Sequence, residues 1–530
     1  MAGVPAQQGM LGSSQFILYN GEIYSFGKKI KGDSDTDKLY YSFLDGTLEE
    51  TLVECDGMYA LVALSGNTDQ RNCSAYRDPI GEKHVYYLFD NQYFAIASTP
   101  GALVELSRRL GILRYNEEAL LDYFDRRHFI SSSNTLFEGI RQIPAGGSIK
   151  FNSDQWTCLE IQPEIPLHLR YFDKDLYSVL SRMSLVEYSE VLEAELSDCL
   201  KNMQSTCIDE ETGLTVSGGI DSTIVAALLS FCADTVPDTF SCSFGDKDPI
   251  AKLAPRLAAK IGSISHHEVA INLDSYVSSL KRCIRILGAP VHSHSLPSSR
   301  ILAQHLACSG KKVLYGGEGA DELFLGYSTY NLINTNRENL YQPQSAYSAK
   351  VINGISQAPH DDSEISNRLN AMLKSSVDMF IESGMSVPHA IIKANAILDF
   401  SEQLPMVGLT ATDTVVSDCG VEARTPFTRS KIVKFGLSSP YKHLVHNQLT
   451  GKPIMKSGLD LLFRKVTGNV PGNKSGFSGY PNETAVFLNE VHTWKVFEQY
   501  PSLKNIFGKN RDTDWKIINT EWFLREWSFG

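Results

Sequence analysis

Short apolar segments separated by turn residues fill the first third of the chain: Phe16-Ile17-Leu18-Tyr19, Tyr59-Ala60-Leu61-Val62-Ala63-Leu64, Val85-Tyr86-Tyr87-Leu88-Phe89 and Tyr93-Phe94-Ala95-Ile96-Ala97. Runs of this length bounded by turn formers predict strands. The region from Gln15 to about Leu159 is therefore expected to be a layered, strand-rich domain, with a helix around Glu117 to Phe124. Pro163 and Pro166 then interrupt the pattern, and Ser184 followed three positions later by Glu187 reads as a capping box. Tyr188, Leu192, Leu196 and Leu200 recur every fourth residue and form one buried stripe on the helix that follows. Beyond it the rhythm becomes strand, glycine turn, helix. Leu214-Thr215-Val216, Thr239 to Phe244, His267 to Ile271 and Val313-Leu314-Tyr315 read as strands, and Ile250 to Ile261 as a helix. Such a βαβ series predicts a parallel sheet covered by helices. Residues 1–162, a linker at 163–183, and residues 184–530 are the expected divisions.

Composition narrows the function classes. The 530 residues are 42% apolar and 21% charged, which excludes a disordered or fibrous chain. A net charge of -12 repels a phosphate backbone, so general nucleic-acid binding is not expected. The longest apolar stretch, Ile224 to Phe231, is far shorter than the ~20 residues a membrane span needs. No secretory leader pattern opens the chain, which predicts a cytoplasmic protein. Ten cysteines between Cys55 and Cys419, without a CxxC pair, read as reduced thiols. His266 and His267, adjacent on an expected strand, point to opposite faces and make a poor metal pair.

One motif carries chemistry. Ser217-Gly218-Gly219-Ile220-Asp221-Ser222 stands where a buried strand ends and a helix begins, a place where free backbone N–H groups favour an anion. Gly218 and Gly219 let the backbone approach a phosphate, Ser217 and Ser222 supply hydroxyl donors, and Asp221 can hold a divalent cation that bridges phosphate oxygens. No GxxxxGK[ST] loop is present, which argues against P-loop chemistry.

SGGIDS resembles the pyrophosphate-binding motif of the ATP pyrophosphatases, and its context is similar to the glutamine-dependent (B-type) asparagine synthetase family. Three further segments resemble that family in order and spacing: Gly316-Gly317-Glu318-Gly319-Ala320-Asp321-Glu322, Gly420-Val421-Glu422-Ala423-Arg424-Thr425-Pro426-Phe427, and Asn473-Lys474-Ser475-Gly476-Phe477. The resemblance implies a parallel-sheet ATP pyrophosphatase domain, of the adenine nucleotide alpha hydrolase type, that uses ATP and Mg²⁺. Asp321 would face Asp221 across the ends of neighbouring strands and share the metal. Glu318 would take a proton from attacking ammonia, and Lys474 would stabilise charge on the α-phosphate and the leaving pyrophosphate. Thr215, Cys242, Gly316 and Gly317 are implied nucleotide contacts. Gly316 replaces the family serine, Thr414 follows Asp413 where an arginine is usual, and Arg429 stands where an acidic residue is common; each bears on the acceptor substrate.

The first region resembles the same family's class II glutamine amidotransferase domain, a two-layered β-sandwich. The resemblance runs through Tyr19-Asn20-Gly21-Glu22-Ile23-Tyr24, the segment from Gly32 to Asp37, that from Glu54 to Ala60, and Arg77-Asp78-Pro79-Ile80-Gly81-Glu82-Lys83. It implies that Asn20 and Gly21 form an oxyanion hole and that Glu22 and Asp35 hold glutamine. The family nucleophile is a cysteine after Met removal, whose free α-amino group serves as its base; this chain has Ala2 there. Early strands of the domain are expected to be missing: either the true start lies upstream of Met1, or, as is the expectation for the chain as given, the glutaminase is inactive and ammonia arrives free or from a glutaminase partner. A homodimer or that partner would then cover the open sheet edge.

The expected function is ATP-dependent amide formation: adenylation of a carboxylate, most simply that of aspartate, followed by ammonia transfer with release of AMP and pyrophosphate. Two rivals stand beside it: a ligase acting on a sugar or natural-product acid, and a non-catalytic scaffold homologue.

Overall fold

The computed structural model describes residues 14–66, 71–117, 119–120, 123, 133–161, 166–207, 211–232, 236–245, 248–263, 265–291, 293–333, 335–336, 341, 344, 363–447, 453–468, 494–505, 507–508 and 511–527. These form two compact units, one from residues 1–116 and 131–167, the other from residues 117–130 and 168–530.

In the first unit, strands β1 (Ser14–Ser25), β2 (Asp56–Gly66), β3 (Arg71–Arg77), β4 (Tyr86–Phe89), β5 (Phe94–Ala97), β6 (Ile140–Gln142), β7 (Ser148–Asn152) and β8 (Thr157–Ile161) make two antiparallel sheets. Their orders are β1-β2-β3-β7-β8 and β5-β4-β6. All four apolar segments read from the sequence are strands. Ala60, Ala75, Val85, Tyr87, Ile143 and Ile149, drawn from or beside both sheets, pack into one core cluster, as alternating inward positions of a two-layered arrangement must.

The second unit holds a five-stranded parallel sheet built from β9 (Thr212–Thr215), β10 (Asp238–Ser243), β11 (His266–Ala270), β12 (Val313–Tyr315) and β13 (Glu422–Arg424). Its order is β11-β10-β9-β12-β13. The chain therefore winds outward from β9 in one direction and then returns to lay β12 on the other side. Helices cover the sheet, among them Ile220–Cys232, which is buried from Ser222 to Ser230. The helix Leu185–Gln204 starts at the capping box of Ser184 and Glu187, and its stripe of Tyr188, Leu192, Leu196 and Leu200 is fully buried. The segment expected as a linker carries two short helices, Leu167–Tyr171 and Lys174–Leu180, and buries Leu180 and His168. Asp173 caps the second of these, so local hydrogen bonding orders a stretch whose prolines suggested a tether. Among the described residues no helix is long and apolar enough to cross a membrane.

Candidate functional site

The strand order reverses between β9 and β12, and the space beyond the carboxyl ends of the strands at such a reversal is the usual ligand position in open α/β sheets. Two loops enter it. Ser217 and Gly218 follow β9, with Gly218 at φ +81°, and the helix from Ile220 carries Asp221 in its first turn. The Ser217 and Ser222 hydroxyls lie 2.8 Å apart, closing the turn from side to side. Gly316 to Gly319 follow β12 and lead into the short helix Ala320–Phe324, whose first turn carries Asp321 and Glu322.

The loops touch where side chains are absent. A Cβ on Gly317 would lie 2.7 Å from Asp221 Cβ and 2.9 Å from Ser222 N, so only glycine admits this approach. A Cβ on Gly316 would meet Glu318 Oε2 at 2.2 Å. The Glu318 carboxylate thus occupies the space a serine would need there, which gives the departure at Gly316 a physical consequence. The segment from Gly420 to Phe427 fixes the second loop. Gly316 N donates to Arg424 O at 2.9 Å, and Thr425 Oγ1 donates to Glu318 O at 2.8 Å. The buried Arg424 guanidinium is itself held by Met203 O and Thr206 Oγ1.

Asp221 and Asp321, a hundred positions apart in the chain, converge on one ammonium. Lys456 Nζ lies 2.5 Å from Asp221 Oδ2 and also pairs with Asp321 Oδ1. Side-chain exposure is 7% for Lys456, 20% for Asp221 and 35% for Asp321. Burial acts against the Lys456 ammonium, but the two carboxylates outweigh it and hold the group charged well above the ordinary lysine range. Burial also raises Asp221, with Lys456 pulling the other way. Glu318 is pushed above the ordinary glutamate value by burial, the Asp221 charge adding to the effect. Glu322, deeper in the same helix, rises to about 8 because it is buried beside Asp321, and Tyr327 donates to it at 2.8 Å.

Asp221 Oδ1 is buried without a hydrogen-bond partner. An open carboxylate oxygen of this kind fits a hard cation such as Mg²⁺, which takes one or two protein carboxylates and completes its shell with water and phosphate. Among the described residues no group of three or more His, Cys, Asp or Glu side chains could hold a metal alone. A cation here would therefore depend on ligands from a bound substrate.

Of the residues expected at the site, Ser217, Gly218, Gly219, Asp221, Ser222, Gly316, Gly317, Glu318 and Asp321 lie on the two loops. Thr215 ends β9. Cys242 is buried in β10, its thiol donating to Ser298 O at 3.7 Å. Lys474 lies outside the described residues. Lys456 escaped the sequence reading because it belongs to none of the four motifs. In the first unit Asn20, Gly21 and Glu22 lie on β1, and Asp35 Oδ2 accepts from Ile23 N at 2.9 Å, next to that segment. Gly21 adopts φ +150° and packs against the Met58 carbonyl.

A family profile described as Asparagine synthase matches residues 192–495, more than half of the chain. The chain belongs to the asparagine synthase family. A Glutamine amidotransferase domain profile matches residues 5–161, so this family member pairs the two domain types its sequence resembles. A putative glutamine-hydrolyzing asparagine synthetase from Mycobacterium bovis is 26% identical over 330 residues, covering 59% of this chain and 48% of the relative. Asparagine synthetase [glutamine-hydrolyzing] 1 of Bacillus subtilis gives the same identity and coverage over 329 residues. A putative asparagine synthetase of Methanocaldococcus jannaschii is 21% identical over 486 residues, 86% of this chain and 70% of that one. The chain spans about half the length of the first two relatives. An NH3-dependent NAD synthetase from Campylobacter jejuni overlaps 28% of this chain and 62% of its own at 21% identity and a TM-score of 0.20; an overlap that slight carries no argument.

Proposed function

We propose that this asparagine synthase family member is an ATP-dependent amide-forming ligase. It adenylates a carboxylate, most simply the β-carboxylate of aspartate, releases pyrophosphate, and lets ammonia displace AMP. One observation carries the reading: Asp221 and Asp321 converge on Lys456 at the reversal of the parallel sheet, beside the glycine turn from Ser217 to Ser222. The Ser217 to Ser222 turn would take the pyrophosphate portion of ATP with backbone N–H groups and hydroxyls. Mg²⁺, bound through Asp221 and Asp321, would neutralise phosphate oxygens as the α–β bond breaks. Glu318, held above the ordinary glutamate value by burial, would accept the proton of attacking ammonia. Lys474 would stabilise the departing pyrophosphate.

The test is to incubate the protein with ATP, Mg²⁺, aspartate and either ammonium or glutamine, then quantify pyrophosphate and asparagine. Stimulation by aspartate with ammonium supports the reading. Failure of every carboxylic acid tried to release pyrophosphate overturns it and leaves the scaffold alternative. Stimulation by another acid alone transfers the assignment to a specialised amidating ligase, which the buried Thr414 and Arg429 keep open as departures from the family pattern. Comparing glutamine with ammonium tests whether the first unit, or a separate glutaminase partner, supplies the nitrogen.

A further inference from the structure

The loop that carries Glu318 is tied at three successive points to the end of β13 and the residues after it. Gly316 N donates to Arg424 O at 2.9 Å, Thr425 Oγ1 donates to Glu318 O at 2.8 Å, and a Cβ on Gly319 would lie 3.4 Å from Phe427 Cβ. The outer two ties rest on backbone and on a missing side chain, so they survive a change of residue at 425. The middle tie is a hydroxyl and depends on that residue alone. Thr425 is buried, and its oxygen also takes the N–H of Phe427 at 3.4 Å, which leaves its one proton directed at Glu318 O. A hydroxyl held from both sides in this way fixes the peptide that follows the Glu318 side chain.

The same residue is steered from its other end. A Cβ on Gly316 would collide with Glu318 Oε2 and lie 3.1 Å from Cδ and 3.3 Å from Oε1, so the whole carboxylate rests over the bare Cα of Gly316. Thr425 therefore sets where the main chain of Glu318 stands, and Gly316 sets where its carboxylate lies. A general base must stand within about 3 Å of the proton it accepts. A change in either setting displaces the base.

We infer that Thr425 is a positioning residue for Glu318 and that it acts as one unit with Gly316: the hydroxyl pins the Glu318 peptide where its carboxylate can lie only over a glycine. A side chain at 316 is then admitted without loss of the base only when that pin is released. The inference rests on the amide-forming reading above and adds to it a residue that touches neither nucleotide nor acceptor.

The test measures amide formation and ATP–pyrophosphate exchange by the full chain with ATP, Mg²⁺, ammonium and the acid that stimulates it. Thr425→Val keeps the shape and loses the hydroxyl, whereas Thr425→Ser keeps the hydroxyl. Thr425→Val is expected to lower kcat for amide formation roughly tenfold, with pyrophosphate exchange and the KM for ATP unchanged, and Thr425→Ser should retain the parent's rate. No loss in Thr425→Val, an equal loss of both activities, or the same loss in Thr425→Ser overturns the proposal. Adding Thr425→Val to Gly316→Ser should slow amide formation no further than Gly316→Ser alone, because the freed loop can recede; losses that multiply overturn the coupling. A second measurement needs no catalysis: amide hydrogen–deuterium exchange over residues 316–319 should quicken in Thr425→Val and match the parent in Thr425→Ser. Equal deuterium uptake in all three overturns the pin. If the parent forms no amide with any acid, the functional reading fails, and deuterium uptake alone decides whether the pin stands. Should Thr425→Val be recovered unfolded, Thr425→Ala is judged by the same outcomes.

Discussion

Asp78 in the first unit and Asp221 in the second are both aspartates in family motifs, and their surroundings are opposite. Asp78 is fully buried and accepts five backbone N–H groups, from Tyr59, Ile80, Gly81, Glu82 and Lys83, at 2.7 to 3.4 Å. The neighbouring Arg77 is likewise spent on the carbonyls of Gly81, Lys83 and Ile143. Asp221 gives one oxygen to Lys456 and leaves the other unpartnered. A carboxylate whose lone pairs are filled by amides holds a loop together, whereas one with an open lone pair can bind something. Motif membership does not separate the two roles; hydrogen-bond saturation does.

Exchanging each aspartate for asparagine is the sharpest way to break this contrast. Asp221→Asn is expected to reduce pyrophosphate release at least ~100-fold in the coupled assay, and to lower the melting midpoint as well, because it removes one of the two charges that compensate the buried Lys456. Glu318→Gln should separate the two half-reactions: ATP–pyrophosphate exchange persists while amide formation falls by roughly 10²- to 10⁴-fold, the range for a lost general base. Equal loss of both would assign Glu318 to phosphate binding instead. Asp78→Asn replaces an anion that accepts five amides and should cost on the order of 3 kcal/mol in the first unit, measured by denaturant unfolding.

Smaller effects sharpen the picture around Glu322. Its folded-state pKa of about 8 exceeds the ordinary 4.5, so between those values the native chain holds a proton that the unfolded chain releases. Its contribution to stability is complete below pH 4.5 and is lost as the pH rises through about 8. Glu322→Gln should flatten that decline in melting midpoint across the same window. Gly316→Ser, which restores the family residue, should push the Glu318 carboxylate aside and slow amide formation by roughly tenfold or less, while the KM for ATP stays unchanged.

Much of the architecture was legible. Period-four spacing marked the helix from Leu185, and short apolar runs marked strands of both units, because burial of one face imposes those periods. The short helix capped by Asp173 inside the expected linker was not legible, because seven residues are too few to show a period. Glu318, Asp221 and Asp321 were legible as members of motifs. Lys456 was not, since a lone lysine after an apolar residue carries no signal until the chain folds back and places it between two carboxylates.

Sequence by itself determined the local chemistry: a strand ending in a glycine turn with hydroxyls and an aspartate makes an anion site wherever it occurs, because the amides at a helix start are unpaired. The tertiary structure decided which charges share that site. Only the reversal of strand order at β9 and β12 brings together groups a hundred or more positions apart, and only burial makes their mutual attraction strong enough to hold an ammonium there.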